Sequence, residues 1–281
     1  MEDFSDAALI LVGHGSTLNA ESSLPTYQQA DELRRRQVFA QVQECFWKQE
    51  PGISGVMRGI FAPRVFVVPL FISEGYFTGQ VIPRELGLSD GNGTEFNRVQ
   101  SLGEQTIHYC GPVGTHDSMT KVLLARAREV VQQFPFPRAP QAGEISLFIA
   151  GHGTSNNENS RKAIERQVEC LRALKTYAMV EGVFMEEEPG IADCCRLAVT
   201  RHVVVVPFFI SDGLHTYEDI PVMLGETETN VRARIAAGQP GWRNPTEKKE
   251  RLIWYARGIG GEPLMADVIL ERAREMAVKG L

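Results

Sequence analysis

Residues 8–17 read ALILVGHGST, and residues 147–156 read LFIAGHGTSN. Each is an apolar run that ends abruptly in Gly-His-Gly. Alternation would mark a strand with one wet face. An unbroken apolar run marks a strand buried on both faces, as in a parallel sheet covered by helices. Each motif is followed by a second such run, VVPLFISEG at 67–75 and VVPFFISDG at 205–213.

The correspondence holds in one register. His14 and His152 are 138 residues apart, and the same offset places Glu50-Pro51-Gly52 on Glu188-Pro189-Gly190, Val67-Val68-Pro69 on Val205-Val206-Pro207, and Ile82-Pro83 on Ile220-Pro221. Chance does not keep one register that long, so the chain is an internal duplication. Later the offset becomes 146, where ARAREVV at 125–131 matches ERAREMA at 271–277, so the second copy has gained eight residues. AAGQPGWRNPTEKK at 236–249, rich in Gly, Pro and charge, is where a surface insertion is expected.

Strand and helix patterns alternate in both copies. Helices are expected over YQQADELRRRQVFAQVQECF (27–46) and SRKAIERQVECLRALK (160–175), then over ISGVMRGIFA and IADCCRLAVT. Further strands are expected at RVFVVPLFI and HVVVVPFFI, then at TIHYCGPVG and RLIWYARGIG, each before a closing amphipathic helix. This predicts an α/β fold of two similar lobes, 1–140 and 141–281, each a central parallel sheet flanked by helices, joined through the Pro-rich FPFPRAPQAGE at 134–144. The closing helix of either half could pack on the other lobe. Ligand sites in open α/β sheets lie beyond the carboxyl ends of the strands, where both Gly-His-Gly turns fall.

Composition narrows the function. The chain has 281 residues, 43% hydrophobic and 23% charged, with a net charge of −6. That is a globular profile and a poor one for a nucleic-acid surface. The basic cluster Arg34-Arg35-Arg36 is expected on a solvated helix face. MEDFSDAALILVG is acidic before a short apolar run, unlike a secretion signal or a membrane span, so a cytoplasmic protein is expected. Five cysteines without C-x-x-C spacing read as reduced thiols.

A lone histidine between glycines at a strand end reads as a structural residue bonded to a loop carbonyl. In the second copy it is not alone. SDGLHTYEDIP at 211–221 places His215 just beyond the neighbouring strand end. Strand spacing puts the two turns roughly 5–10 Å apart, so His152 and His215 can share a divalent ion such as cobalt, iron or nickel. The first copy carries SEGYFTGQVIP at 73–83, with Phe77 in place of the second histidine and Val81 in place of Asp219. Glu74 and Asp212 occupy matched positions, either as proton relay and metal approach or as capped turns. Asp219, before Ile-Pro, is expected to cap a helix. Arg84 could meet a carboxylate or simply face solvent. No G-x-x-x-x-G-K stretch occurs, so no ATP or other nucleotide is expected.

An apolar strand ending in Gly-His-Gly-Ser/Thr, then V-V-P-x-F-x-S-x-G-x-H-x-x-x-D-I-P, resembles the class II chelatases, the sirohydrochlorin cobaltochelatases and ferrochelatases of cobalamin and siroheme synthesis. The two-copy build is similar to the long, CbiX-like members, whose lobes face each other across a cleft holding the tetrapyrrole. The resemblance implies metal insertion, with the metal and the tetrapyrrole as substrates. It implies His152 and His215 as metal-binding and catalytic residues. His14, Phe77, Glu74 and Asp212 are then substrate-facing. A monomer is expected, since both lobes lie in one chain, with a dimer as the alternative. The competing functional readings are a metal or tetrapyrrole carrier without turnover, a phosphate-handling α/β enzyme, and a degenerate structural paralogue.

Overall fold

A computed structural model describes residues 3–89, 96–153 and 158–279. Thr154, which completes the second Gly-His-Gly-Thr motif, lies outside the described residues. The chain divides into two compact units, Met1–Met119 with Pro263–Leu281, and Thr120–Glu262. These units are cut differently from the repeats at 1–140 and 141–281. The helix closing the first repeat, Met119–Gln133, counts almost wholly with the second unit, and the helix closing the second, Met265–Lys279, with the first.

In the first unit five strands, β1 (Ala7–Gly13), β2 (Gln41–Phe46), β3 (Arg64–Pro69), β4 (Val99–Leu102) and β5 (Gln105–Tyr109), form one sheet in the order β2-β1-β3-β5-β4. All neighbours run parallel except β4 against β5. β1 is buried at every residue, because it is central and covered on both faces. Since β1 pairs with β2 on one side and β3 on the other, the connections leave it in opposite directions. That switch point opens a crevice beyond the carboxyl ends of β1 and β3.

The second unit repeats the arrangement with β6 (Ile145–Gly151), β7 (Met179–Phe184), β8 (His202–Pro207), β9 (Thr246–Lys248) and β10 (Arg251–Tyr255), in the order β7-β6-β8-β10-β9. One face of its sheet packs Phe148, Val183, Val203, Val205 and Ile253 against Ile191, Ile220 and Trp242.

Three expectations need correction. The helix expected over 27–46 stops at Arg36, where Gln37 turns left-handed (φ 54°), and the remainder is β2. β2 is an edge strand, so it keeps polar residues such as Gln41 and Gln43 and lacks the apolar signature of β1. β7 lies beyond the matching helix expected at 160–175, in the short segment before Glu188-Pro189-Gly190 where no strand was expected. Short antiparallel β4 and β9 also escaped notice, having too few apolar residues to register. The insertion at 236–249 is not wholly superficial: Trp242 is buried in the core, and β9 lies within the segment.

Arginines stitch each unit. Arg34 donates to the Val42 carbonyl at 3.0 Å and pairs with Glu44, while Arg172, its counterpart, donates to the Val180 carbonyl at 2.8 Å. Arg34 is therefore not only a solvated charge, and Arg36 pairs with Asp267 of the C-terminal helix. The closing helices are held by a matched device. Arg272 donates to the Pro112 carbonyl at 2.9 Å and Arg126 to the Gly258 carbonyl at 3.0 Å. The five cysteines are free. Burial pushes the Cys45 and Cys110 thiols up to about 12, which keeps them protonated and unreactive.

Candidate functional site

The Gly-His-Gly turn is shaped by its surroundings. At Gly151 an added Cβ would lie 1.9 Å from Ile164 Cδ1 of the covering helix, so a larger residue would have to push that side chain aside. Gly153 turns left-handed (φ 64°), a conformation that side chains disfavour. The amides of Met185 and Glu186, beyond β7, donate to the His152 carbonyl at 3.0 and 3.1 Å. The backbone of His152 is thus clamped between two strand ends while its side chain stays half-exposed.

His215 comes from the loop after β8. It opens a π-helical turn, His215–Asp219, and Phe77 opens the matched turn, Phe77–Val81. Both turns are held from below by buried groups. The Thr216 hydroxyl accepts from the Gly213 amide at 2.9 Å, and the Tyr255 hydroxyl of β10 donates to the Thr216 carbonyl at 2.9 Å. Thr78 and Tyr109 do the same in the first unit, at 3.0 and 2.6 Å. Burial raises both tyrosine hydroxyls, so they remain donors.

The rings of His152 and His215 meet with centroids 5.1 Å apart and planes at 84°. Each is tied through Nδ1. His152 Nδ1 bonds the Gly153 carbonyl at 3.0 Å, and His215 Nδ1 bonds Asp219 Oδ2 at 2.7 Å. A carbonyl or carboxylate oxygen accepts, so Nδ1 carries the proton and Nε2 keeps its lone pair. With metal–nitrogen bonds of about 2.1 Å, two nitrogens up to roughly 4 Å apart can share an ion. Glu186 adds negative charge, its Oε1 3.8 Å from His152 Nδ1. Among the described residues no group of three or more His, Cys, Asp or Glu is arranged to hold a metal. Two imidazoles leave coordination positions open, which suits an ion that must be released.

Asp219 thus differs from its expected role. It makes no side-chain cap on the following helix and instead orients His215. The i,i+4 spacing within one turn brings the two side chains together. That pairing was present in the sequence as H-x-x-x-D.

The first unit holds His14 in the same way, with Nδ1 at 2.9 Å from the Gly15 carbonyl. Its neighbours are aromatic. Phe77 and Trp47 each lie 5.4 Å from His14 by ring centroid, and 4.7 Å from each other. Lys48 Nζ sits 4.5 Å over the Trp47 ring. At the offset of 138, Trp47 and Lys48 correspond to Met185 and Glu186, so the second unit's acid stands where the first has a base. Trp47, Lys48, Glu186, Thr216 and Tyr255 went unnoticed in the sequence. The signal was available by reading the repeat for its differences as well as its identities.

The matched acids have different partners. Glu74 accepts from Arg98 at 3.0 Å. Asp212 accepts from the Gly258 amide at 2.7 Å, tying the loop after β8 to the loop after β10. Arg84 pairs with its neighbour Glu85.

The CbiX family model matches residues 8–130 and 146–276, once on each repeat. A probable sirohydrochlorin cobaltochelatase of Halobacterium salinarum is 45% identical over 278 residues, which cover 95% of this chain and 91% of that protein. The structure of DR2241 from Deinococcus radiodurans, a multi-domain protein with structural similarity to chelatases, matches 96% of this chain with a TM-score of 0.77 and 29% identity. This chain spans about half of that one, 55% of its length. The sirohydrochlorin chelatase SirB of Bacillus subtilis subspecies spizizenii, in complex with cobalt, has the same fold, with a TM-score of 0.63 at 16% identity over 97% of this chain and 96% of its own. Two family matches, one on each repeat, a relative matched over most of its length and a shared α/β architecture agree with the duplication read from Gly-His-Gly: the chain belongs to the CbiX family.

Proposed function

We propose that this chain inserts a divalent metal ion, cobalt or ferrous iron, into sirohydrochlorin, with the His pair of the second repeat as its metal-handling centre. The observation that carries this reading is the facing of His152 and His215 with both Nδ1 atoms engaged. Two fixed Nε2 lone pairs can hold an ion without enclosing it.

Insertion replaces two pyrrolic protons by one dication, so two protons must leave the macrocycle for each metal that enters. The ion is held by Nε2 of both rings and passes to the pyrrole nitrogens. As it leaves, His152 Nε2 becomes free to accept a pyrrolic proton, while Gly153 keeps the ring in place. His215 Nε2 is the acceptor for the second, with its ring held by Asp219. Neither step calls for a nucleotide. Nickel is a third candidate metal, since it also accepts imidazole.

The repeats 1–140 and 141–281 divide the work. His14, Trp47 and Phe77 offer an aromatic surface suited to a flat macrocycle, and Lys48 suits one of its carboxylates. Aromatic contacts of that kind contribute about 0.5–1.5 kcal/mol beyond area burial. Among the described residues no helix is long and apolar enough to cross a membrane, and a cytoplasmic monomer accords with this reading.

The test is a spectrophotometric insertion assay with sirohydrochlorin and cobalt, ferrous iron or nickel. His152→Ala and His215→Ala should each lose at least about 100-fold in rate, the range for removing a positioned base. His14→Ala should lose only part. A dead His14→Ala beside an active His152→Ala would reverse the assignment of the repeats. Tight binding of metal and macrocycle with no acceleration over the spontaneous rate would make the protein a carrier.

A further inference from the structure

The second unit contains a cavity of about 630 Å³ whose lining does not include His152 or His215. It lies at the carboxyl edge of the sheet, walled by Phe134, Tyr217 and Trp242 and backed by Thr216 of the π-helical turn. Part of its wall is residues 238–244, within the stretch where the second repeat is longer than the first. Its volume is that of a site for a small organic ligand, and such sites pair apolar walls with a few convergent polar groups.

The convergent groups here are cationic. Arg234, Arg243 and Arg257 all line the cavity. Arg234 uses Nε on the Pro240 carbonyl at 2.8 Å, and Arg257 Nε lies 3.5 Å from Asp212 Oδ2. The two carboxylates in the lining are already engaged, Glu129 by Arg126 at 2.6 Å and Asp212 by the Gly258 amide at 2.7 Å. Aromatic walls with three guanidiniums, of which Arg257 also faces Asp212, and with Glu129 paired to Arg126 outside the lining favour a planar ligand bearing an anionic group.

We propose that this cavity is a second ligand site, distinct from the histidine pair, for a planar carboxylate-bearing molecule. The ligand could be a small aromatic acid or the edge of a conjugated polycarboxylate, and both share the chemistry the lining selects. Occupancy would be sensed at the histidine pair, because Thr216 and Tyr217 belong to the same turn as His215 and Tyr255 supports that turn from the cavity wall.

The probe is 8-anilinonaphthalene-1-sulfonate, titrated into the full-length protein with excitation of tryptophan and emission read from the probe. One saturable site is expected. Arg243→Ala with Arg257→Ala should weaken binding at least tenfold, and Gln133→Trp, at the exposed end of the lining helix, should block it. Phe61→Ser, which removes an exposed aromatic elsewhere, should leave it unchanged. Displacement by metal-free sirohydrochlorin identifies a tetrapyrrole edge as the ligand, and displacement by naphthoate alone identifies a small aromatic acid. Absence of saturable binding, or equal binding by wild type, the double-arginine variant and Gln133→Trp, overturns the proposal. The binding readout needs no metal insertion, so it stands or falls apart from the chelatase reading.

Discussion

Asp219 shows how one side chain sets the chemistry of another. Its carboxylate accepts from His215 Nδ1, which fixes the tautomer and the ring orientation and leaves the Nε2 lone pair directed outward. Asp219→Asn keeps the shape but can present an N–H to Nδ1, which would turn the imidazole to the wrong tautomer. Metal affinity should fall about 10–100-fold, as for other orienting partners of metal-bound histidine. Calorimetric titration with cobalt checks this, and unchanged affinity would mean that Asp219 is only a surface partner. The residues His152 and His215 were legible in the sequence from their addresses at strand ends. The role of Asp219 was not, because H-x-x-x-D fits a helix cap as well as an ion pair until the π-helical turn is seen.

Among the elements, the two π-helical turns are a controlled comparison within one molecule. Tyr109 and Tyr255 make the same hydroxyl-to-carbonyl bond under matched turns, of which only the second carries a histidine. Tyr109→Phe and Tyr255→Phe should each cost about 1–3 kcal/mol, the range for leaving a buried carbonyl unsatisfied. Only Tyr255→Phe should also weaken cobalt binding; equal effects of both on metal binding would refute the division between repeats. A second element-level prediction concerns the turn Ala142–Glu144 that leads into β6. Glu144 accepts from Arg138 and from the Gln141 amide, which lower its pKa from 4.5 to about 2. A lowered folded-state pKa stabilises the fold above the unfolded value, and that contribution disappears as pH falls through the folded one. The difference in Tm between wild type and Glu144→Gln should therefore be constant above pH 4.5 and vanish towards pH 2. A difference that persisted at the acid end would show that the carboxylate is not responsible.

At the scale of the whole molecule, neither repeat supplies all of its own compact unit. Met265, Val268, Ile269, Ala273 and Met276 of the C-terminal helix are buried, and the first unit includes that helix. Fully burying one large apolar side chain contributes about 1.5–3 kcal/mol, so four such residues rival the 5–15 kcal/mol stability of a typical domain. A chain ending at Glu262 should consequently lose the cooperative unfolding of its first unit, while its second unit keeps a separate transition. Calorimetry would decide this, and an intact first transition in the truncated chain would show that the unit is complete without the helix.

The duplication, the buried strands β1, β3, β6 and β8, and the strand-end histidines were all written in local patterns. Apolar continuity reports burial on both faces, and a repeated register reports itself. Edge strand β2 was illegible because partial burial needs few apolar residues, leaving a pattern that a helix can also satisfy, and β7 passed unread in the short segment after its helix. The helix exchange was suggested but not fixed by sequence, since an amphipathic stripe says that a helix must be covered and not which surface covers it. Only the tertiary structure decided that Asp219 orients His215, that matched tyrosines support the turns, and that Arg126 and Arg272 hold the exchanged helices. Each of these is a contact between groups remote in sequence or turned by an unusual backbone, and its existence depends on three-dimensional distance.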